Sequence, residues 1–229
     1  MAVNSTDNFS KTARQNMLFG QLIPHRINDL RLLNAMESVA REKFLPERLR
    51  GRAYADETIR INDRQVLFSP RILARLLSAA EPNENDFVLD IRAGSGYSAA
   101  VMAGLTRAVV ALESDSALCD TIQQILIDDE IDNVAVINKN PDDGFPSQSP
   151  FDIIFIEGIV SFVPENLLSQ LAENGRLICI ISEDGNNTGR VTKIVRHGEK
   201  LSFSVPFDLN LNGTVRDPSY KRFVFETVS

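Results

Sequence analysis

Phe87-Val88-Leu89-Asp90-Ile91-Arg92-Ala93-Gly94-Ser95-Gly96-Tyr97 is the stretch that decides the fold. An apolar run interrupted only by Asp90 leads into a turn with two glycines, and residues 97–105 then carry a helical pattern. A short apolar run bounded by glycine predicts a buried strand, and the strand-to-helix change across the glycines predicts the first half of a βαβ unit. The same grammar repeats downstream. Ala108-Val109-Val110-Ala111-Leu112, closing at Glu113, reads as a second strand, and residues 115–129 read as a helix. Val134-Ala135-Val136-Ile137 is a third strand, Phe151-Asp152-Ile153-Ile154-Phe155-Ile156 a fourth, and Arg176-Leu177-Ile178-Cys179-Ile180-Ile181 a fifth, with a helix over 164–171 before Asn174-Gly175. Strands that are apolar throughout and alternate with helices predict a parallel sheet covered on both faces, an α/β doubly wound, Rossmann-like architecture.

Upstream of the deciding stretch the pattern is helical from about residue 10 to 37, with Asn28-Asp29 able to cap the run Leu30, Leu32, Leu33, Ala35 and Met36. Phe44-Leu45-Pro46 ends that region, residues 51–69 hold turns and short extended pieces, and Pro70 opens a helix with Ile72, Leu73, Leu76, Leu77 and Ala80 on one side. Beyond Ser182, Val191-Thr192-Lys193-Ile194-Val195 and Arg222-Phe223-Val224-Phe225, with Gly198 between, predict a closing antiparallel pair. The chain of 229 residues is expected to form one domain. Within it, 1–80 is an N-terminal helical extension on the substrate side, 81–182 the cofactor-binding core, and 183–229 the C-terminal strands.

A net charge of -7 opposes DNA or RNA as the main partner, because phosphate binding is dominated by Lys and Arg. The basic stretch from Arg41 through Lys43, Arg48, Arg50 and Arg52 is broken by acidic residues and reads as a solvated helix face. No apolar run approaches bilayer length, and the polar start of the chain lacks the blocks of a signal peptide, so no membrane role and a cytoplasmic location are expected. Cys119 and Cys179 lie in apolar periodic segments and read as core filling, and His25 and His197 have no partners at ligand spacing, so no metal site is expected.

The turn at residues 90–96 sits at the carboxyl edge of the sheet, where open α/β folds bind ligands. Gly94 and Gly96 let the backbone turn sharply and approach a ligand. Gly94-Ser95-Gly96-Tyr97-Ser98-Ala99 also satisfies the dinucleotide pattern G-x-G-x-x-A, and Glu113 at the end of the second strand suits ribose hydroxyls in either case. Asp90 tips the reading towards S-adenosylmethionine, whose ammonium-bearing end welcomes a carboxylate that a pyrophosphate would avoid. A Rossmann-like domain with a glycine turn and no such ligand stays open on the loop alone.

Several segments read in order are more specific. Arg41-Glu42-Lys43-Phe44-Leu45-Pro46 resembles R-x-x-F-V-P, and Tyr54-Ala55-Asp56-Glu57-Thr58-Ile59-Arg60-Ile61 resembles Y-x-D-x-P-L-P-I. Gln65-Val66-Leu67-Phe68-Ser69-Pro70 with Ala74 is similar to Q-T-I-S-x-P-x-x-x-A, and residues 88–100 to V-L-E-I-G-x-G-S-G-Y-x-A-A. Gly144-Phe145-Pro146, Pro150-Phe151-Asp152, residues 163–171 and Gly175-Arg176-Leu177 complete the series. Over about residues 40–181 the chain thus resembles the protein-L-isoaspartate O-methyltransferase family. The resemblance implies transfer of a methyl group from S-adenosyl-L-methionine to the carboxylate of an isoaspartyl residue in a damaged protein, with a protein or peptide as partner. It implies a cofactor-binding set of Asp90, Ala93, Gly94, Ser95, Gly96, Glu113, Ser114 and Asn140, and substrate-side candidates Asp56 and Ser69. It assigns no catalytic residue. For Asp56, bonding turn amides within residues 54–61 is the structural alternative, and for Ser69, capping the helix that follows.

The chain departs from the family pattern at defined points. Arg92 replaces the first loop glycine, Phe68 stands where the family has a hydroxyl, Asn140 replaces an acidic residue expected near the adenine, and Glu157-Gly158-Ile159 replaces a small T-A-A type segment. Arg92 can obstruct the pocket, pair with the cofactor's carboxylate, or turn outward against Asp90, and the last is the expectation here. These departures raise two alternatives: a catalytically impaired binding or regulatory protein, and a methyltransferase with a different acceptor.

Overall fold

A computed structural model of the chain describes residues 3–62, 65–182 and 188–210. The N-terminal part is helical. Helix α1 (Val3–Met17) runs into a π-type turn (Leu18–Leu22) and a 3-10 turn (Ile23–His25), and α2 (Leu30–Ser38) follows. The single helical pattern read over 10–37 is therefore broken at 26–29, where Arg26 takes a left-handed φ of 65°. Asp29 restarts the helix by accepting a hydrogen bond from the Arg31 N–H, as its residue type foretold. Two 3-10 turns (Arg41–Phe44 and Glu47–Arg52) lead to an antiparallel pair of two-residue strands, β1 (Ile59–Arg60) and β2 (Val66–Leu67). Helix α3 (Pro70–Ala80) then starts at the expected proline and buries Leu73, Leu76, Leu77 and Ala80.

The core alternates as the sequence predicts: β3 (Phe87–Ile91), α4 (Tyr97–Ala103), β4 (Ala108–Glu113), α5 (Ser116–Asp128), β5 (Val134–Asn138), β6 (Phe151–Val160), α6 (Glu165–Leu168) and β7 (Leu171–Ile181). Strands β8 (Thr188–His197) and β9 (Lys200–Asn210) close a seven-stranded sheet in the order β5-β4-β3-β6-β7-β8-β9. The pairs from β5 to β7 are parallel, and β8 and β9 join antiparallel. The antiparallel ending is as expected, with Gly198 in the connecting turn, but the partner of β8 is residues 200–210. Residues 222–225 lie outside the described residues.

Alternate residues of each strand point to opposite faces, which is why continuous apolar runs were needed. Val88, Ala111, Ile153, Phe155 and Ile178 join Leu73 and Leu77 of α3, Ile122 of α5 and the residues of α4 in one buried cluster. Leu89, Ile91, Leu112, Ile154 and Leu177 form the second cluster on the other face, where α6 contributes Leu167. The helices are shared unequally: the helix expected over 164–171 is only four residues long. Leu171 already pairs with Phe151, and a register shift then carries Ile153 to Arg176. Gly175 fits that shift because a Cβ there would lie 2.9 Å from the backbone of both Ala172 and Phe151. Both cysteines are buried and free, matching the core-filling expectation. Among the described residues, no helix is long and apolar enough to cross a membrane.

Candidate functional site

The chain order of the sheet reverses at β3, which has β4 on one side and β6 on the other. A crevice opens at such a point beyond the carboxyl ends of the strands. The loop at residues 92–96 crosses it with three left-handed residues, Arg92 (φ 61°), Gly94 (φ 54°) and Gly96 (φ 84°). The Ala93 N–H donates to Leu112 O at 3.1 Å and the Gly96 N–H to Ala93 O at 2.7 Å, so the turn is pinned to β4 and to itself. Gly96 has a packing reason as well as a conformational one, since a Cβ there would lie 2.6 Å from Ile122 Cγ2. Ser95 is buried and its hydroxyl accepts from the Tyr97 N–H at 3.4 Å.

Asp90 is fully buried at the mouth of this loop. One carboxylate oxygen accepts a hydrogen bond from the Ser98 hydroxyl at 2.7 Å, while the other, Oδ1, has no hydrogen-bond partner. Burial pushes its pKa up to about 7, the Ser98 bond works against that rise, and the neighbouring Glu113 carboxylate adds to it. A buried acid with an unbonded oxygen is costly for folding alone and suits a cationic or hydrogen-bond-donating ligand.

Glu113 ends β4 facing the same loop. Its Oε2 accepts from the Gly94 N–H at 3.3 Å, and its Oε1 accepts from the Ser114 N–H at 2.8 Å and the Asp115 N–H at 3.2 Å. Ser114 is exposed, and its hydroxyl also reaches Glu113 Oε1 at 3.2 Å. Asn140, on the far side of the strand ends, caps a short 3-10 turn through a 3.3 Å bond from the Asp142 N–H, and its side chain is exposed. Asn138 was not singled out from the sequence; its amide donates to Glu113 O at 3.1 Å and ties β5 to the end of β4.

On the substrate side, Ser69 is buried and caps α3, accepting from the Ile72 N–H at 3.3 Å. The hydroxyl thus makes the helix-capping bond named as its structural alternative. Asp56 forms an ion pair with Arg71 of α3 at 3.2 Å, a partner that neither reading of its segment named. Phe68 is buried, and its carbonyl accepts a hydrogen bond from Arg41. Arg41 also donates to Ala53 O at 2.7 Å and stacks over the Tyr97 ring at 4.8 Å. The expectation that this basic stretch is a solvated face holds for Lys43, Arg48, Arg50 and Arg52, which are exposed, and fails for Arg41, which is 0% exposed. Its partners lie in segments the sequence could not bring together by local pattern.

Arg92 does not turn against Asp90. Its guanidinium pairs with Asp142 at 2.8 Å, so the charge is drawn towards the turn after β5. Asp90 is fully buried behind the loop and is bonded to Ser98 instead. Glu157, noted in the sequence only as a departure, stands next to the loop: a Cβ at Gly94 would lie 2.8 Å from Glu157 Oε2. It enters there because β6 bulges between Phe155 and Ile159, with Gly158 at φ 97°. A bulge re-aims a side chain that regular alternation would place elsewhere.

The sheet order and loop define a class, the Rossmann-like α/β proteins with a ligand crevice at the switch point of the sheet. A solved protein-L-isoaspartate O-methyltransferase superposes with a TM-score of 0.78 over 89% of this chain and 65% of its own, at 23% identity, a likeness of fold. A structure from Plasmodium falciparum, described as a protein-L-isoaspartate O-methyltransferase in complex with S-adenosyl-L-homocysteine, has a TM-score of 0.70 at 25% identity over 90% of this chain and 97% of its own. Protein-L-isoaspartate O-methyltransferase 1 of Syntrophobacter fumaroxidans is 35% identical over 176 residues, 77% of this chain and 82% of the relative. The protein-L-isoaspartate O-methyltransferase of Synechococcus sp. is 38% identical over 186 residues, 81% of this chain and 76% of the relative. The family model described as Protein-L-isoaspartate(D-aspartate) O-methyltransferase matches residues 13–205. The chain belongs to the protein-L-isoaspartate O-methyltransferase family.

Proposed function

We infer that this protein transfers the methyl group of S-adenosyl-L-methionine to the free α-carboxylate of an isoaspartyl residue in a protein or peptide, in the cytoplasm. The observation that carries the reading is the buried Asp90 with an oxygen left without a hydrogen-bond partner, set beside Glu113 at the strand ends of a family-matched chain. Those residues fit the cofactor: Asp90 suits its ammonium-bearing end, Glu113 its ribose hydroxyls, and the glycine turn its close approach. Asn140 retains donor and acceptor groups for the adenine despite replacing an acid.

The cofactor supplies an electrophilic methyl on a cationic sulfur. The acceptor carboxylate, with an ordinary pKa of about 4, is already ionised at neutral pH, so no general base is required. Held by Asp90, the glycine loop and Glu113, the cofactor would supply its methyl group to one carboxylate oxygen, the sulfur keeping the electron pair of the broken bond, to leave a methyl ester and S-adenosylhomocysteine. The protein's task is therefore alignment. Arg41 serves it by joining the Ala53 and Phe68 backbone to the Tyr97 ring of α4, which locks the substrate-side segments onto the cofactor loop.

Incubation with methyl-labelled cofactor and a matched pair of peptides tests the assignment. Base-labile label is expected in the isoaspartyl peptide and not in its aspartyl twin. Equal labelling of both, or none with the cofactor bound, contradicts it.

A further inference from the structure

Two carboxylates from two strands reach Gly94, and a third, Asp90, lies close enough to Glu157 for their charges to interact. Glu113 of β4 accepts from its N–H at 3.3 Å, and Glu157 Oε2 of β6 lies 2.8 Å from where its Cβ would be. Asp90 of β3 lies behind them, wholly buried and with Oδ1 unpartnered. Two of these suit the cofactor head and ribose in the reading above. The third has no such employment, and it replaces a small segment in the family pattern.

S-adenosylmethionine carries a carboxylate, an ammonium and a sulfonium, a net charge of about +1 near neutral pH, and loses one positive charge when its methyl leaves. Shape barely changes, so charge is the main handle by which a site can tell donor from spent product. We propose that Glu157 is a positioning residue that makes this pocket select the cationic methyl donor over the neutral S-adenosylhomocysteine, using the bulge in β6 to bring a third carboxylate against the cofactor loop. The proposal rests on the reading that the cleft takes S-adenosylmethionine.

The surroundings of Glu157 suit this role. Burial, then the charge of Asp90, raise its pKa well above the usual carboxylate range; the Ser98 hydroxyl and the Arg41 guanidinium oppose that rise, and Glu113 adds to it. A cation arriving among these groups favours ionisation and expels a proton, whereas a neutral ligand leaves the proton in place. The contact is close, since a Cβ at Gly94 would lie 2.8 Å from the movable end of Glu157, while the left-handed φ of 54° is the firmer reason for glycine there.

Calorimetric titration of S-adenosylmethionine and S-adenosylhomocysteine, each in two buffers of different ionisation enthalpy, measures affinity and proton release together. The unmodified protein is expected to release more protons on binding the donor than on binding the product. Glu157→Gln, close to isosteric, is expected to lower the donor-to-product affinity ratio by about tenfold, the least that one partly desolvated charge pair contributes, and to shrink the difference in proton release. An unchanged ratio in a folded variant overturns the proposal while leaving the cofactor reading intact. Should that variant fail to fold, equal proton release by the two ligands on the unmodified protein overturns it. Binding of neither ligand to the unmodified protein removes the cofactor reading, and this proposal with it.

Discussion

Ser98 donates its hydroxyl hydrogen to Asp90 Oδ2 at 2.7 Å, and this bond links the first strand of the core to the helix that follows the glycine loop. It satisfies one oxygen of a buried carboxylate whose other oxygen has no hydrogen-bond partner. The site is thus held partly unsatisfied by its scaffold, as binding sites often are.

That arrangement makes stability depend on pH in a defined direction. The folded-state pKa of Asp90 is pushed up to about 7 by burial, against about 3.9 for an unfolded chain. Between those values the folded protein holds a proton that the unfolded chain has lost. The contribution of Asp90 is therefore fully present at low pH and disappears as pH rises through about 7, by up to about 1.4 kcal/mol per pH unit. Asp90→Asn cannot titrate. Urea unfolding of both proteins from pH 4.5 to 8 is expected to give a difference curve that grows in favour of Asn as pH rises; parallel curves count against it.

Arg41 is expected to be among the most sensitive positions for folding. Arg41→Met leaves the Ala53 and Phe68 carbonyls without their buried donor, at about 1–3 kcal/mol each, and removes the contact with Tyr97. A loss of about 3 kcal/mol or more in urea unfolding is predicted. Arg41→Lys should recover less than half, because a single ammonium cannot reproduce the planar fork and the stacking. A lysine variant as stable as the parent contradicts this account.

Arg92 occupies a left-handed position that costs an L residue about 1–2 kcal/mol. Arg92→Gly relieves that cost but adds backbone entropy of about 0.5–1 kcal/mol and gives up an ion pair whose Asp142 partner is 44% exposed, worth about 0–1 kcal/mol. The net change in stability should stay within about 1 kcal/mol. Cofactor affinity, measured by titration, should change by less than about threefold, because the guanidinium is tied to Asp142. A tenfold gain shows that the arginine obstructs the pocket.

Ser69→Ala removes the cap of α3, and a loss of about 1 kcal/mol is expected from thermal or urea unfolding. With the hydroxyl engaged at the helix start, the Michaelis constant for an isoaspartyl peptide should move little. A stable variant with a peptide constant raised tenfold instead places Ser69 on the substrate.

The core strands were legible because parallel strands buried on both faces must be apolar at consecutive positions, as Val88 with Leu89 and Ile153 with Ile154 are. The turn was legible because Gly94 and Gly96 take left-handed backbone angles that favour glycine, and Gly96 also packs where a Cβ would meet Ile122. The residues misread share one cause, a partner distant in sequence. Arg41 looked solvated because its acceptors are 12 and 27 residues away. Arg92 was aimed at Asp90 because Asp142, 50 residues on, lies in a turn with no apolar pattern to place it. Glu157 was hidden by a bulge, which strand periodicity runs straight through. The early start of β7 at Leu171 was hidden by a helical pattern that tertiary pairing with Phe151 overrode.

The crevice between β3, β4 and β6 is proposed to receive S-adenosylmethionine with Glu113 on its ribose. Titration of the cofactor into the unmodified protein and into Glu113→Gln puts this to the test. Saturable one-to-one binding, weakened at least tenfold by the substitution, is the predicted result. Binding of equal strength in both proteins, or none in either, contradicts it.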